Sequence, residues 1–357
     1  MKKQSHITLA DIAGRLGVSR VTVSKALRGH PDISDGMSKN VRRVASELGY
    51  SPNRMARNLS ARKSHLLGLV VPKIAHFFFG SVIETVYAKA LEHKYETILM
   101  VSHENEEQEV QHLQTLVSMR VDGIIISVSA RLKDTRIFDW VKKMGIPLLF
   151  MDRVPDPPPK GSTAVIVDDY GGSVLAIEQA LAVGYTTIGC IGGDRNVNIG
   201  RNRVQGYTDT LKRQGIPVRE EWIIAGGYGT EAGYNGFMRL HENGQVPRCV
   251  FAVTYPVALG VYAAAKARNI RIPQDMDVIC FGDSDVGSLL TPALSCVSQP
   301  TQRLGEESVR ILMEMIDHPE SVPGGSRVIP TELILRETCV ASKGAAVLSG
   351  EALRVRN

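Results

Sequence analysis

The chain of 357 residues is predicted to be α/β, with a small all-helical head at its N-terminus and a larger two-lobed body of parallel sheets. Three observations predict this. Apolar positions recur with helical period through the first fifty residues. Beyond residue 64, short continuous apolar runs alternate with helix-length segments. The length also exceeds what one hydrophobic core usually reaches.

The head opens on "TLADIAGRLGVSRVTVSKALRG". Thr8 can cap a first helix, with Asp11 three residues on as an acidic partner for its N-terminus. Ile12, Ala13 and Leu16 recur at helical spacing, and Gly17 stops the run. Ser19 can cap a second helix whose Val23, Ala26 and Leu27 face inward. Its other face offers Arg20, Val21, Thr22, Ser24 and Lys25, with Arg28 at its end. Two short helices of this kind form a helix-turn-helix with a reading face. A plain helical hairpin with a solvated polar face shows the same pattern, and charge separates the two. Residues 1–63 hold 13 Lys and Arg against four acids, a net of +9, whereas the whole chain carries +5 and the remainder therefore −4. A basic head on a mildly acidic body suits a polyanion such as DNA, whose binding releases counterions.

A third helix is expected after Ser34, with Met37, Val41, Val44, Ala45 and Leu48 on one face and Gly49 at its end. Gly36 is its weak spot, since glycine costs about 1 kcal/mol relative to alanine inside a helix. The basic stretch "YSPNRMARNLSARKS" follows. Taken in order, "TLADIAGRLGVSRVTVSKAL", "ELGYSPN" and this stretch resemble the head of the lactose-repressor/galactose-repressor (LacI/GalR) family of bacterial transcription regulators. The resemblance covers most of the first sixty residues.

In the body, "HLLGLVVP", "YETILMVS", "VDGIIISVS" and "IPLLFMD" read as strands, and "AVIVDD", "TIGCIGG", "WIIAGG", "CVFAVT" and "DVICFGD" continue the series. Continuous apolar runs suit parallel strands buried on both faces, with the intervening helices as crossovers. "VPDPPPKGS" between the two series is expected to carry the chain from one lobe to the other. Ligands on such sheets sit at the carboxyl ends of strands, so two facing lobes make a cleft. The resemblance implies a body like the periplasmic binding proteins, crossed about three times, with later crossings near "SCVSQPT" and "VIPTELILRE". The expected divisions are a DNA-binding domain (1–51), a hinge helix or linker (52–63), an effector-binding and dimerisation domain (64–341) and a loose tail (342–357).

Signals for catalysis are missing. "GCIGGD" lacks the G-x-G-x-x-G spacing, and there is no phosphate loop. "HENEE" and "HENG" are not H-E-x-x-H, and Ser284 lacks the surroundings of a nucleophile elbow. The adjacent Asp168 and Asp169 read as turn or helix-cap residues. Five scattered cysteines without a C-x-x-C read as small core residues rather than a metal or disulfide framework. No run of 18 apolar residues and no apolar signal core after Lys2-Lys3 occur, which points to the cytoplasm. No enzyme activity, metal or cofactor is expected.

The family resemblance extends to segments that line a ligand cleft. In "AHFFFG", His76 and Phe77 stand where Asn-Pro is common, and Phe78 and Phe79 supply aromatics that can stack on a sugar face or serve the core. "LFMDR" places Asp152 and Arg153 at a strand end where similar proteins have a cleft residue. "NIGRNRVQGY" resembles an arginine segment, which makes Arg203 the foremost candidate for effector oxygens, with Arg201 nearby. Two departures stand out: Thr254-Tyr255 replaces a common Asn-Asp, and Gly282 replaces an acid ahead of Asp283. Loss of acids with retention of arginine favours an anion.

The resemblance also implies that the hinge enters the minor groove, with Asn53, Arg54 and Leu59 as DNA contacts and Leu59 as the wedge. A plain basic linker is the alternative. Together with Thr8, Ser19, Arg20, Val21, Thr22, Ser24, Lys25 and Arg28, these are the candidate DNA contacts. The expected protein is a homodimeric repressor that reads a pseudo-palindromic double-stranded operator under control of a carbohydrate-type effector, a sugar acid or sugar phosphate being favoured. Two alternatives stand beside it: a sugar-binding module unrelated to transcription, and a regulator that answers to a protein corepressor.

Overall fold

A computed structural model describes residues 7–50 and 63–341, except 76, 243, 245 and 285. The expectations for Asn53, Arg54, Leu59, His76 and the tail after 341 lie outside the described residues. The chain divides into two compact units, Met1–Ser64 and His65–Asn357.

The head contains α1 (Leu9–Leu16), α2 (Arg20–Leu27) and α3 (Asp35–Glu47). Its starts follow local chemistry. The Thr8 amide and hydroxyl both donate to the Asp11 carboxylate at 2.7 Å, and those bonds hold the carboxyl below its ordinary pKa. Gly17 takes φ 64°, the left-handed conformation that ends α1. Ser19 accepts from the Thr22 amide at 3.0 Å, and Ser34 accepts from that of Met37 at 3.4 Å. Ile12, Val23, Ala26 and Val41 are fully buried where the three helices meet. Gly36 does not break α3, because it falls in the exposed first turn of a 13-residue helix.

The first lobe of the body is a six-stranded sheet flanked by helices. In chain order its strands are β1 (Leu66–Val71), β2 (Glu96–Val101), β3 (Gly123–Ile126), β4 (Leu148–Met151), β5 (Thr163–Val167) and, much later, β11 (Gly325–Ile329). The spatial order is β11-β5-β4-β3-β1-β2, and every pair is parallel. Helices α4 (Phe77–Glu92), α5 (Glu106–Ser118), α6 (Arg136–Lys143) and α11 (Thr301–Asp317) cover it.

The second lobe holds β6 (Ile188–Ile191), β7 (Ile223–Ile224), β8 (Cys249–Ala252), β9 (Asp277–Phe281), β10 (Cys296–Ser298) and β12 (Glu332–Ile334). Their order is β12-β10-β9-β8-β6-β7, parallel except for the β10–β12 pair. Helices α7 (Asp169–Ala182), α8 (Asn198–Arg213), α9 (Thr230–Glu242) and α10 (Tyr255–Ala267) belong here. Residues of β3, β8 and β9 are all buried, which is why those runs are apolar without alternation. All five cysteines are buried and free.

Nine strands lie where the apolar runs put them, but one crossing does not. The chain leaves the first lobe at Asp168, not through residues 154–162, because β5 still pairs with β4 and supplies the partner for β11. The proline-rich loop touches the second lobe in passing, through a bridge between Pro155 and Val197 and through Asp156, which pairs with Arg201. The other crossings follow β10 and β11, as expected.

Close packing of α9 on α10 depends on missing side chains. A Cβ at Gly260 would lie 2.0 Å from the Thr230 carbonyl oxygen, and one at Gly233 would lie 2.0 Å from that of Val257. Gly260→Ala is therefore expected to destabilise the body by about 1–3 kcal/mol through overpacking. Gly36→Ala, with open space around it, should stabilise the head by about 0.4–1 kcal/mol. Urea unfolding of both variants checks the pair of signs.

Candidate functional site

On the head, Arg20 and Val21 occupy the first turn of α2 and are exposed, Val21 by 64%. An exposed valine beside an exposed arginine at a helix start is suited to base edges, since arginine pairs with guanine and an apolar group meets the thymine methyl. The other candidates have local duties. Thr8 and Ser19 cap helices, and Thr22 shares a hydroxyl hydrogen bond with Ser19 at 2.8 Å. Lys25 pairs with Asp32 at 2.7 Å, Arg28 donates from Nε to the Ser24 carbonyl at 3.2 Å, and Ser24 is half-buried.

In the body, a cleft of about 870 Å³ lies between the lobes. Its walls come from the carboxyl ends of strands in both sheets: Glu104 after β2, Arg131 after β3, Asp152 and Arg153 after β4, Asp194 after β6, Tyr228 after β7, Tyr255 after β8 and Asp283 after β9. Parallel strands all deliver their following loops to one edge, so topology alone gathers residues far apart in sequence. Phe78, Phe79, Asp152, Arg203, Tyr255 and Asp283 all line it. Arg201 does not; it pairs with Asp156 on the proline-rich loop. Phe79 is buried against Phe78, their ring centroids 5.1 Å apart and near edge-on, so it serves the core and the wall together.

Arg203 is 2% exposed and largely engaged. Its Nε donates to Asp169 Oδ1 at 2.8 Å and its Nη1 to the Val253 carbonyl at 2.7 Å, while the guanidinium lies 3.8 Å from the Phe281 ring centroid. Burial raises the Asp169 pKa against the opposing pull of Arg203. Asp168 caps α7 by accepting from the Gly171 amide at 2.8 Å; Asp169 is more than the turn residue its sequence suggested. Asp152, in the left-handed region at φ 63°, is buried and pushed up to about 7 by desolvation. In the same lobe, desolvation likewise pushes the buried Glu109, which accepts from the Ser129 amide at 2.7 Å, up to about 7.

Sequence reasoning missed Glu104, Tyr228 and Arg336. Glu104 pairs with Arg153 at 2.7 Å; burial pushes its pKa up, but the guanidinium prevails and holds it low. Arg336, in the segment after β12, pairs with Asp283 at 2.9 Å and so neutralises a cleft acid from behind. Glu104 and Tyr228 follow strand ends, the one signal that could have found them.

A capped helix-turn-helix with an exposed reading turn, in one chain with a two-lobed body that has a polar cleft, defines a DNA-binding regulator with a ligand-binding domain. Comparison with known proteins agrees. Residues 8–53 match the family described as bacterial regulatory proteins, lacI family, and residues 177–339 match a periplasmic binding protein-like domain. The transcriptional repressor CytR of Escherichia coli is 28% identical over 335 residues, covering 94% of this chain and 97% of its own. The lac repressor dimer bound to operator and the anti-inducer ONPF shares 25% identity at a TM-score of 0.82, with coverage of 94% and 100%. The regulator CelR in complex with cellobiose shares 25% at 0.72, with coverage of 93% and 100%. The chain carries a lacI-family DNA-binding head and a periplasmic binding protein-like domain, and is a DNA-binding transcriptional repressor with a ligand-binding domain rather than an enzyme.

The buried acids make stability depend on pH. The folded pKa of Asp152 lies above its unfolded value, so the folded state holds the proton more tightly between pH 4 and 7. Stability is greatest below that window, falls as pH rises through it, and levels off above about 7. Glu109 acts in the same direction. Asp152→Asn should flatten the decline between pH 5 and 7 by an amount on the order of a few kcal/mol. Urea unfolding at several pH values checks this; an unchanged slope would contradict it.

Proposed function

We propose that the chain represses transcription as a homodimer in the cytoplasm, reading a pseudo-palindromic operator through α2 and releasing or tightening it when a carbohydrate-type effector occupies the cleft. The operator complex and sugar complex of its structural relatives support this assignment. Two identical heads reading one site favour a two-fold operator. Among the described residues no helix is long and apolar enough to cross a membrane.

The observation that carries the effector assignment is the cleft's charge balance, which favours a sugar acid or sugar phosphate. Burial pushes Asp152 up to about 7, so that it carries only part of its charge at neutral pH, and Arg336 offsets Asp283. Lys73, Arg131 and Arg239 also line the cleft with no acid within ion-pair distance among the described residues, three cations against two acids, Asp194 and Glu231, that line it equally without a basic partner there. The amino ends of α4, α9 and α10 face the same space, adding positive dipole. A thermal-shift screen of the whole chain against neutral sugars, sugar acids and sugar phosphates tests it, since a bound effector raises the melting temperature. Stabilisation by neutral sugars alone would overturn the anionic class.

Base reading has its own test. Arg20→Ala should relax preference at one operator position by about 1–3 kcal/mol, whereas Lys25→Ala should weaken all sequences alike. Selection of operators from random DNA by each variant checks this, and an unchanged preference in Arg20→Ala would contradict it.

A further inference from the structure

The reading helix carries a cation that the head itself engages. Lys25, in the last turn of α2, places its Nζ 2.7 Å from Asp32 Oδ2. Lys25 is half-buried and Asp32 exposed. The turn that presents Asp32 is folded back on α2 by its own hydrogen bonds. The His30 amide donates to the Lys25 carbonyl at 3.0 Å and the Ile33 amide to the His30 carbonyl at 3.1 Å. The Asp32 amide donates to His30 Nδ1 at 3.3 Å, and Pro31 between them has a fixed φ. The hydrogen bond from Lys25 holds the Asp32 carboxyl below its ordinary pKa. The other acids of the described head are placed differently: Asp11 serves Thr8, Glu47 pairs with Arg43, and Asp35 opens α3. Among the described residues, Asp32 is the acid that engages a cation of α2.

This pairing bears on two modes of DNA binding that draw on charge differently. Binding to non-operator DNA is driven by counterion release, so each unpaired cation counts. On an operator, base contacts fix the register and so decide which phosphate meets which side chain. An ammonium has three N–H donors. Lys25 can give one to Asp32 and another to a phosphate oxygen that docking brings to it, and a lysine already held in place loses less rotamer freedom on binding. We propose that Asp32 is a specificity-determining residue of this repressor: it cancels the charge of Lys25 toward non-operator DNA and positions the same ammonium for a phosphate of the docked operator. The proposal rests on the reading of α2 as the DNA-contacting helix, and it adds an acid whose presence sharpens the choice of site.

Fluorescence anisotropy of the full chain tests it, on an operator selected from random DNA and on a non-operator duplex of the same length, at several salt concentrations. Asp32→Asn frees Lys25 for one more phosphate. Non-operator binding should then tighten by about 3- to 10-fold, and its log–log salt slope should steepen by about 0.9. Operator affinity should stay within about twofold, so the specificity ratio falls. Asp32→Glu keeps the charge and should restore most of that ratio. Asp35→Asn removes the same charge from the head without freeing Lys25, and should leave the ratio as in wild type. The Lys25–Asp32 pair is exposed and contributes little to stability, so the variants should melt close to wild type. An unchanged ratio in Asp32→Asn overturns the proposal, and so does an equal fall in Asp35→Asn, which would reduce the effect to net charge. Lys25→Ala separates the two levels of the argument: it leaves Asp32 bare and should weaken both DNAs. No effect of Lys25→Ala on either DNA defeats the reading of α2 itself. Weakening by Lys25→Ala beside an unchanged ratio in Asp32→Asn defeats the role of Asp32 alone.

Discussion

The second lobe depends on one buried ion pair. Arg203 and Asp169 are almost wholly withdrawn from water, where an unpaired guanidinium would be costly. Their pairing joins the start of α7 to the first turns of α8, and the Nη1 bond to the Val253 carbonyl adds the end of β8. Because α7 begins at the first crossing between lobes, the same pair fixes where the chain enters the second lobe. Gly206 lets α8 approach closely enough: a Cβ there would lie 2.6 Å from the Tyr170 carbonyl oxygen. The arginine is thus wall and keystone together, and its loss would cost about 3–5 kcal/mol in stability as well as any ligand contact.

A smaller set of contacts joins the lobes across the cleft. The buried Asn198 carboxamide, at the start of α8, accepts from the Val154 amide at 2.8 Å and donates to the Asp152 carbonyl at 2.9 Å. Arg201 with Asp156 acts between the same two segments, and Arg153 against Tyr228 between the same two lobes. Buried Val154, Val197 and Ile199 belong to one apolar cluster that holds residues of both lobes, so any equilibrium between lobe angles reworks apolar as well as polar contacts. A ligand shifts such an equilibrium only by binding one arrangement better than the other, which residues reaching across the cleft are placed to sense.

Much of this architecture was legible in the sequence because it follows from local rules. Thr8, Ser19 and Ser34 announced three helices, and uninterrupted apolar runs announced nine strands. Strands β10, β11 and β12 were harder to read: β10 spans three residues, and β11 is mostly exposed at a sheet edge, so neither shows a buried run. The misplaced crossing has a similar cause, since prolines mark a break in regular structure without saying which sheet the next strand joins. In the cleft, Phe78, Asp152 and Arg203 came from motif resemblance. Glu104 and Arg336 could not, because their partners, Arg153 and Asp283, are 49 and 53 residues away and meet them only through the fold.

Repression under effector control requires that cleft occupancy change operator affinity. The most direct measurement is fluorescence anisotropy of the full chain on an operator selected from random DNA, at fixed salt, with and without a saturating ligand found by thermal shift. Coupling between the sites predicts an affinity change of about 5- to 150-fold. An operator affinity indifferent to a ligand that demonstrably fills the cleft would contradict a cleft-controlled repressor.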